Sequence, residues 1–269
     1  MDYNATLLPE SGRRGVSAGQ AQGRSKKIVR RHFMKLMKLA FKRETAVPML
    51  ALSFASVVSI VLVVARVIWT GEVFYAGLAW NLFLAWLPLV FALLAREEFR
   101  EGTPRNWRFL GFAAAWLLFF PNAPYIFTDL IHLTTYFYRH FWVDLVLILL
   151  CAMTGMVLGF VSLFLMQGVV RRMFGGAASW LFIAAVAGLS SFGIYLGRFL
   201  RFNSWDIVWK PIALSRGIGR WAANPLAHST SYAFPMLFAV FLFIAYLMLY
   251  ALTHLEHAEG LPDRVRASG

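Results

Sequence analysis

Residues 109–132 read FLGFAAAWLLFFPNAPYIFTDLIH. Apolar and small residues run from Phe109 to Phe120 and then meet Pro121-Asn122-Ala123-Pro124. Twelve helical residues reach only ~18 Å into a ~30 Å hydrocarbon layer. Two prolines three apart remove two backbone donors and crowd the preceding turn. Each also pushes the residue before it away from helical angles. The stretch therefore predicts a transmembrane helix that breaks part-way through the bilayer. Non-helical backbone at that depth is tolerated only where it is buried in protein or lines a wet cavity. A second half-helix is expected to follow, with Asn122 as its N-cap and Pro124 in its first turn. The free N–H groups at its start would suit an anion. Tyr125, Thr128, Asp129 and His132 lie at i, i+3, i+4 and i+7 and form one polar stripe. Discontinuous helices of this kind mark binding sites in transporters. The competing reading is a simple proline kink with the stripe facing water beyond the membrane.

Composition sets the frame for that break. Apolar and aromatic residues make up 59% of the 269, charged residues 14%, and the mean hydropathy is +0.62. A soluble domain is less apolar and nearly twice as charged, so a cytosolic globule is excluded, and so is disorder for most of the chain. Cys151 is the lone cysteine, which excludes an intrachain disulfide. Six stretches are long enough to span: about 46–69, 73–95, a third beginning at Phe109, 142–167, 177–197 and 232–252. They do not alternate, so helices rather than barrel strands are expected. The fold class expected is all-α: a polytopic transmembrane bundle of six spans, the third broken at the Pro-Asn-Ala-Pro segment.

The net charge of +13 would suggest nucleic acid in a soluble protein. Here its placement matters more, and no nucleic-acid partner is expected. Eleven of the 26 Lys and Arg precede residue 45. With the N-terminus inside, inner segments carry 19 of them and outer segments 6, Arg66 lying within the first span. The positive-inside rule then puts both termini in the cytoplasm. Residues 1–45 are expected as a basic tail, disordered over 1–25 and helical over 26–43. In the latter, Val29, Phe33, Leu36, Met37 and Ala40 share one face, and the lysines and arginines lie off it. Residues 46–254 form the membrane domain and 255–269 a cytoplasmic tail.

Other polar groups fall at matching depths. Asn81 lies ~12 Å below the outer start of the second span, near the level of Asn122, with Ser190 and Ser191 at a similar height in the fifth. Arg66, Asp144, Tyr195 and Arg198 come near the outer rim. Polar residues in a membrane are costly and face a cavity or a partner, so their common level predicts one polar pocket open to the outer side. Arg66 and Asp144 taken singly also fit snorkelling or helix capping. Arg198 and Arg201, one turn apart if helical, suit bidentate capture of phosphate or carboxylate. Pairing with Asp129, Asp144 or Asp206 is the alternative. An interfacial amphipathic segment bent at Pro211 is expected over 205–221. No Walker loop, G-x-S-x-G or H-E-x-x-H occurs. Asp129, His132, His140, Asp144 and Asp206 could in principle hold Zn²⁺. The spacing fits an Asp–His hydrogen bond on a solvated helix better, and no metal or cofactor is assigned.

The strings FFPNAPYIFTDLIHL (119–133) and GIYLGRFLRFNSWD (193–206), Asn81 with Pro88, and Trp142-Val143-Asp144-Leu145 resemble the bacterial multi-pass membrane proteins of domain-of-unknown-function family 1361. The resemblance runs from about Pro48 to Leu252. It implies the topology and carries no activity, substrate or site residue.

The residues together point to a bacterial inner-membrane protein with an outward-facing pocket for an anionic lipid headgroup or another anionic ligand. Candidate ligand-binding residues are Asn81, Asn122, Tyr125, Asp129, His132, Asp144, Arg198, Arg201, Asn203 and Asp206. The alternatives are a membrane-embedded, metal-dependent hydrolase or transferase using Asp129, His132 and Asp144, and a non-catalytic accessory subunit bound to an unidentified membrane partner.

Overall fold

The structure, a computed structural model, describes residues 43–101, 106–135, 140–204, 206–223 and 229–259. The chain divides into two units, 1–49 and 50–269. Of the first unit, residues 43–49 are described and are helical. The expected basic helix over 26–43 lies outside the described residues apart from Arg43.

All described regular elements are helical. In order they are α1 (Arg43–Thr70), a 3₁₀ turn (Val73–Tyr75), α2 (Ala76–Glu101), α3 (Trp107–Phe119), α4 (Asn122–Tyr125), a 3₁₀ helix (Ile126–Ile131), α5 (His132–Thr135), α6 (Phe141–Phe174), α7 (Gly176–Arg198), α8 (Asp206–Trp209), α9 (Pro211–Ala223) and α10 (Ser229–Glu259). Six segments are long and apolar enough to cross a bilayer: Val47–Thr70, Val73–Arg100, Trp107–Ile131, Phe141–Phe174, Gly176–Arg198 and Tyr232–Thr253. The fourth runs past its expected end at Gln167, carrying Arg171 and Arg172 in its last turn, where cations suit the helix dipole. It stops at Gly175, whose φ of 89° a side chain would resist.

The third span differs from expectation in how it breaks. Phe120 and Pro121 keep helical dihedrals, at φ −54°, ψ −40° and φ −58°, ψ −24°. The chain is not unwound; proline's fixed φ is itself a helical value. What breaks is the hydrogen-bond ladder. Ala123 N–H turns back to the Phe120 carbonyl at 3.1 Å, and Asn122 Nδ2 donates to the Phe119 carbonyl at 2.9 Å. Asn122 therefore serves the end of α3 and does not cap α4, where Pro121 holds the cap position without a side-chain bond. The segment then tightens to 3₁₀ through Ile131.

Two small-residue pairs hold this segment in place. A Cβ on Gly155 would stand 2.9 Å from the Ala123 carbonyl oxygen, and one on Gly159 2.9 Å from Ala123 Cβ. On α7, a Cβ on Gly193 would lie 3.0 Å from Pro121 Cγ, and one on Gly197 3.3 Å from the Tyr125 ring. Small-xxx-small faces on α6 and α7 thus bring both helices against the proline segment, the closeness that drives helix association in lipid. Below it, Trp116, Phe120, Phe160, Ile183, Val186 and Tyr246 fill the apolar core. Its polar atoms are paired: Trp116 Nε1 donates to Ser162 Oγ at 3.1 Å, and the Tyr246 hydroxyl to Gln167 Oε1 at 2.6 Å.

Candidate functional site

The polar stripe of the third span meets the end of α7. Arg198 Nη2 donates to Asp129 Oδ1 at 2.5 Å and to Thr128 Oγ1 at 2.8 Å, and Nε reaches the same hydroxyl at 3.0 Å. Nη1 lies 3.1 Å from His132 Nε2. The guanidinium also sits over the Tyr125 ring, 4.9 Å from its centre. One arginine therefore gathers the whole stripe. From α2, Asn81 Nδ2 donates to Asp129 Oδ2 at 3.0 Å, so both carboxylate oxygens are engaged.

A guanidinium cannot accept a hydrogen bond, so His132 Nε2 must be the acceptor, which assigns the neutral Nδ1–H tautomer. The electrostatics agree: burial first, and Arg198 second, hold the His132 pKa below the ordinary histidine value, with Asp129 opposing them. The 3.8 Å approach of His132 Nε2 to Asp129 is then proximity rather than an ion pair.

Asp144 belongs to a second network. Arg66 Nε donates to Asp144 Oδ1 at 2.6 Å and Nη2 to Oδ2 at 3.1 Å, a bidentate pair with both residues buried. Arg66 also bonds the Thr70 hydroxyl and lies 4.8 Å from the centre of the Tyr75 ring. This pair fastens α1 to α6.

Asp206 belongs to a third arrangement. Its Oδ2 accepts the Asn203 N–H at 2.7 Å while its own N–H donates to the Asn203 carbonyl at 2.9 Å, a reciprocal lock on the turn before α8. Lys210 Nζ lies 3.4 Å from Oδ1. The Asn203 N–H, with help from Lys210, holds the carboxyl below the usual aspartate range. α7 ends at Arg198, so Arg201 does not project beside it. Arg201 is exposed, at φ 57°, with no side-chain partner among the described residues. Trp205 is outside the described residues. The break at Lys210 before Pro211 fits the expected bent segment.

Between α2, α3, α7 and the chain following α7 lies a cavity of about 600 Å³. Asn81, Asn122, Tyr125, Ser190, Asn203 and Ser204 supply its polar wall. The rest is largely apolar, with Leu117 and Leu118 on one side and Leu189 and Phe192 on the other. Asn122 Nδ2 crosses to Ser204 Oγ at 3.0 Å and ties the proline segment to the chain after α7. The buried Ser190 hydroxyl has no hydrogen-bond partner among the described residues. Asn81, Asn122, Tyr125 and Asn203 thus share one cavity wall. Asp129, His132 and Arg198 form the network beside Asn81 and Tyr125, while Asp144 and Asp206 serve elsewhere. The anion site expected at the start of the half-helix does not form, because the Ala123 and Tyr125 N–H groups are taken by Phe120 and Pro121 carbonyls. No three of His, Cys, Asp and Glu converge among the described residues.

Sequence reading missed Ser204 and the glycine pairs. The spacings Gly155-x-x-x-Gly159 and Gly193-x-x-x-Gly197 were the available signal for the latter. Residues 80–258, more than half of the chain, match the family described as "Protein of unknown function (DUF1361)". The chain belongs to this family. The match starts at Trp80, not near Pro48, so Arg66 lies outside it and its partner Asp144 inside. No curated protein and no solved structure matches the chain.

Proposed function

We propose that this multi-pass DUF1361 protein binds an anionic lipid in the 600 Å³ cavity. Its acyl chain would lie along Leu117, Leu118 and Leu189, and its headgroup against Asn81, Tyr125 and Ser190. The observation that carries the reading is the two-natured wall: apolar over most of its area, with polar side chains from four segments among its lining, as an amphiphile requires. Its polar side offers free donors. The Tyr125 and Ser190 hydroxyls and one Asn81 N–H make no hydrogen bond among the described residues, and phosphate oxygens accept. Arg198 contributes no net charge, being neutralised by Asp129, and acts by orienting the Tyr125 ring. Arg201, exposed and two residues from Asn203 in the chain, would supply a cation. The excess of Lys and Arg on the side of the termini supports a bacterial inner-membrane setting with both termini cytoplasmic and the cavity on the outer side.

The hydrolase reading gains nothing from this geometry, since Asp129 and His132 are both bonded to or facing Arg198 and Asp144 is held by Arg66. Ala114→Phe tests the binding reading. Ala114 is exposed in the cavity wall, so the ring fills the space without displacing core. Native mass spectrometry of the full-length protein is expected to show anionic phospholipid retained by the wild type and depleted at least tenfold in the variant. Equal retention refutes the site.

A further inference from the structure

His132 ends the polar stripe, just past the third candidate span, with 27% of its side chain at the surface. Its Nε2 accepts from Arg198 Nη1 at 3.1 Å. The same atom lies 3.8 Å from Asp129 Oδ1, which Arg198 Nη2 holds at 2.5 Å. Among the described residues, the charged groups that bear on it are Arg198 from α7 and Asp129 from its own segment. The turn Val73–Tyr75 brings the Phe74 ring edge-on at 4.8 Å, while the flanking Glu72 and Tyr75 lie against Arg66. α6 packs against α5, but its Asp144 is bonded to Arg66, and His140 before it faces the Trp69 ring. With His132 neutral, Arg198 and Asp129 cancel. A proton on Nε2 removes the acceptor that Arg198 Nη1 uses and sets two donors face to face. It also makes His132 a cation within reach of Asp129 Oδ1, so that two cations share one carboxylate. The network then carries a full positive charge. That charge adjoins the 600 Å³ cavity, because Asn81 and Tyr125 in its wall contact Asp129 and Arg198 directly.

We propose that His132 is a proton switch that tightens the hold of this cavity on an anionic phospholipid as pH falls. The inference rests on the lipid reading of the cavity given above and adds its regulation. Burial and Arg198 disfavour the His132 cation in the empty protein. An anion beside Tyr125 offsets Arg198 and favours that cation. By linkage, binding the anion then draws in a proton, and the proton strengthens binding by the same factor. A phosphodiester stays ionised between pH 7.5 and 5.5, so the titrating group belongs to the protein.

Calorimetric titration of the full-length protein in neutral detergent tests it, with short-chain phosphatidylglycerol as the probe at pH 7.5 and 5.5. The wild type is expected to bind about fivefold tighter, or more, at pH 5.5. His132→Gln keeps an acceptor for Arg198 and cannot take the proton, so its affinity should be the same at both values. Repeating the wild-type titration at pH 6 in buffers of different ionisation enthalpy should show net proton uptake on binding, a readout that needs no variant. Ala114→Phe locates the binding and should weaken it about tenfold or more at both pH values. No binding by the wild type, or binding that survives Ala114→Phe, overturns the cavity reading and the switch with it. Binding that Ala114→Phe removes but pH leaves unchanged overturns the switch alone, as does a pH dependence retained in His132→Gln or a binding step without proton uptake.

Discussion

At the scale of single residues, each buried charge among the described residues has a partner of opposite sign. Arg66 and Asp144 are 3% and 1% exposed, so losing Asp144 strips Arg66 of its bidentate partner and leaves it only the more distant Glu72 at 3.7 Å. Asp144→Asn is expected to lower unfolding free energy in detergent by about 3–5 kcal/mol. Replacing both residues by leucine should restore much of it, and a double variant as unstable as Asp144→Asn would contradict the pairing. His132 gives a pH test. Its native pKa lies below the ordinary histidine value, so beneath that value the unfolded chain binds the proton first. Stability from this residue is present above the ordinary value and declines as pH falls through it. Between pH 7.5 and 5.5 the thermal midpoint should drop less in His132→Gln than in the wild type, with the difference between the two proteins isolating this side chain from other histidines. The Tyr125-Thr128-Asp129-His132 stripe was legible because helical spacing alone puts the four on one face. Pairing with Asp129 was legible only as one of three alternatives for Arg198 and Arg201, because a choice across 69 residues depends on how α7 ends, which spacing does not encode.

At the scale of elements, the third span decides the architecture. Two prolines made its interruption legible. Its form was not: the rule that proline disfavours helix concerns hydrogen bonds and neighbours, and here Asn122 and a 3₁₀ turn replace the lost bonds while the backbone stays helical. The resulting narrow segment is packed by the glycine faces of α6 and α7. A side chain at Gly159 would strike Ala123 Cβ at 2.9 Å, whereas one at Gly168 meets open space. Gly159→Leu is therefore expected to destabilise the protein by about 2 kcal/mol or more, as overpacking does. Gly168→Ala should be neutral or stabilise by up to about 1 kcal/mol through helix propensity. Equal effects at the two positions in a thermal unfolding series would remove the close-packing account. Span boundaries followed well from hydropathy, since long apolar runs leave few choices. The exceptions are α2, which continues past Ala95 through Arg96 and Arg100, and α6, which continues through Arg171 and Arg172, residues that hydropathy alone assigns to loops.

At the scale of the whole molecule, six segments are long and apolar enough to span, and the polar networks lie near the end of α1, the start of α2 and α6, and the end of α7. Composition and charge placement made the six-span bundle legible. The coincidence of Asn81, Asn122 and Ser190 around one cavity was legible as a common depth, and not as a shape, because depth says nothing of rotation about a helix axis. Asp144, near the outer rim, and Asp206, beyond the fifth span, were candidates for the same pocket, yet one fastens α1 and the other locks a turn. The central claim is that the proline segment of the third span, held between α6 and α7, leaves a lipid-shaped space beside it. The most direct test is a structure of the full-length protein in nanodiscs containing anionic phospholipid. Elongated density is predicted along Leu117 and Leu118, with its head within hydrogen-bond reach of Asn81 and Tyr125. A cavity closed by side chains, or α3 running on through residue 131 as an uninterrupted α-helix with Tyr125 and Asp129 facing acyl tails, would contradict it.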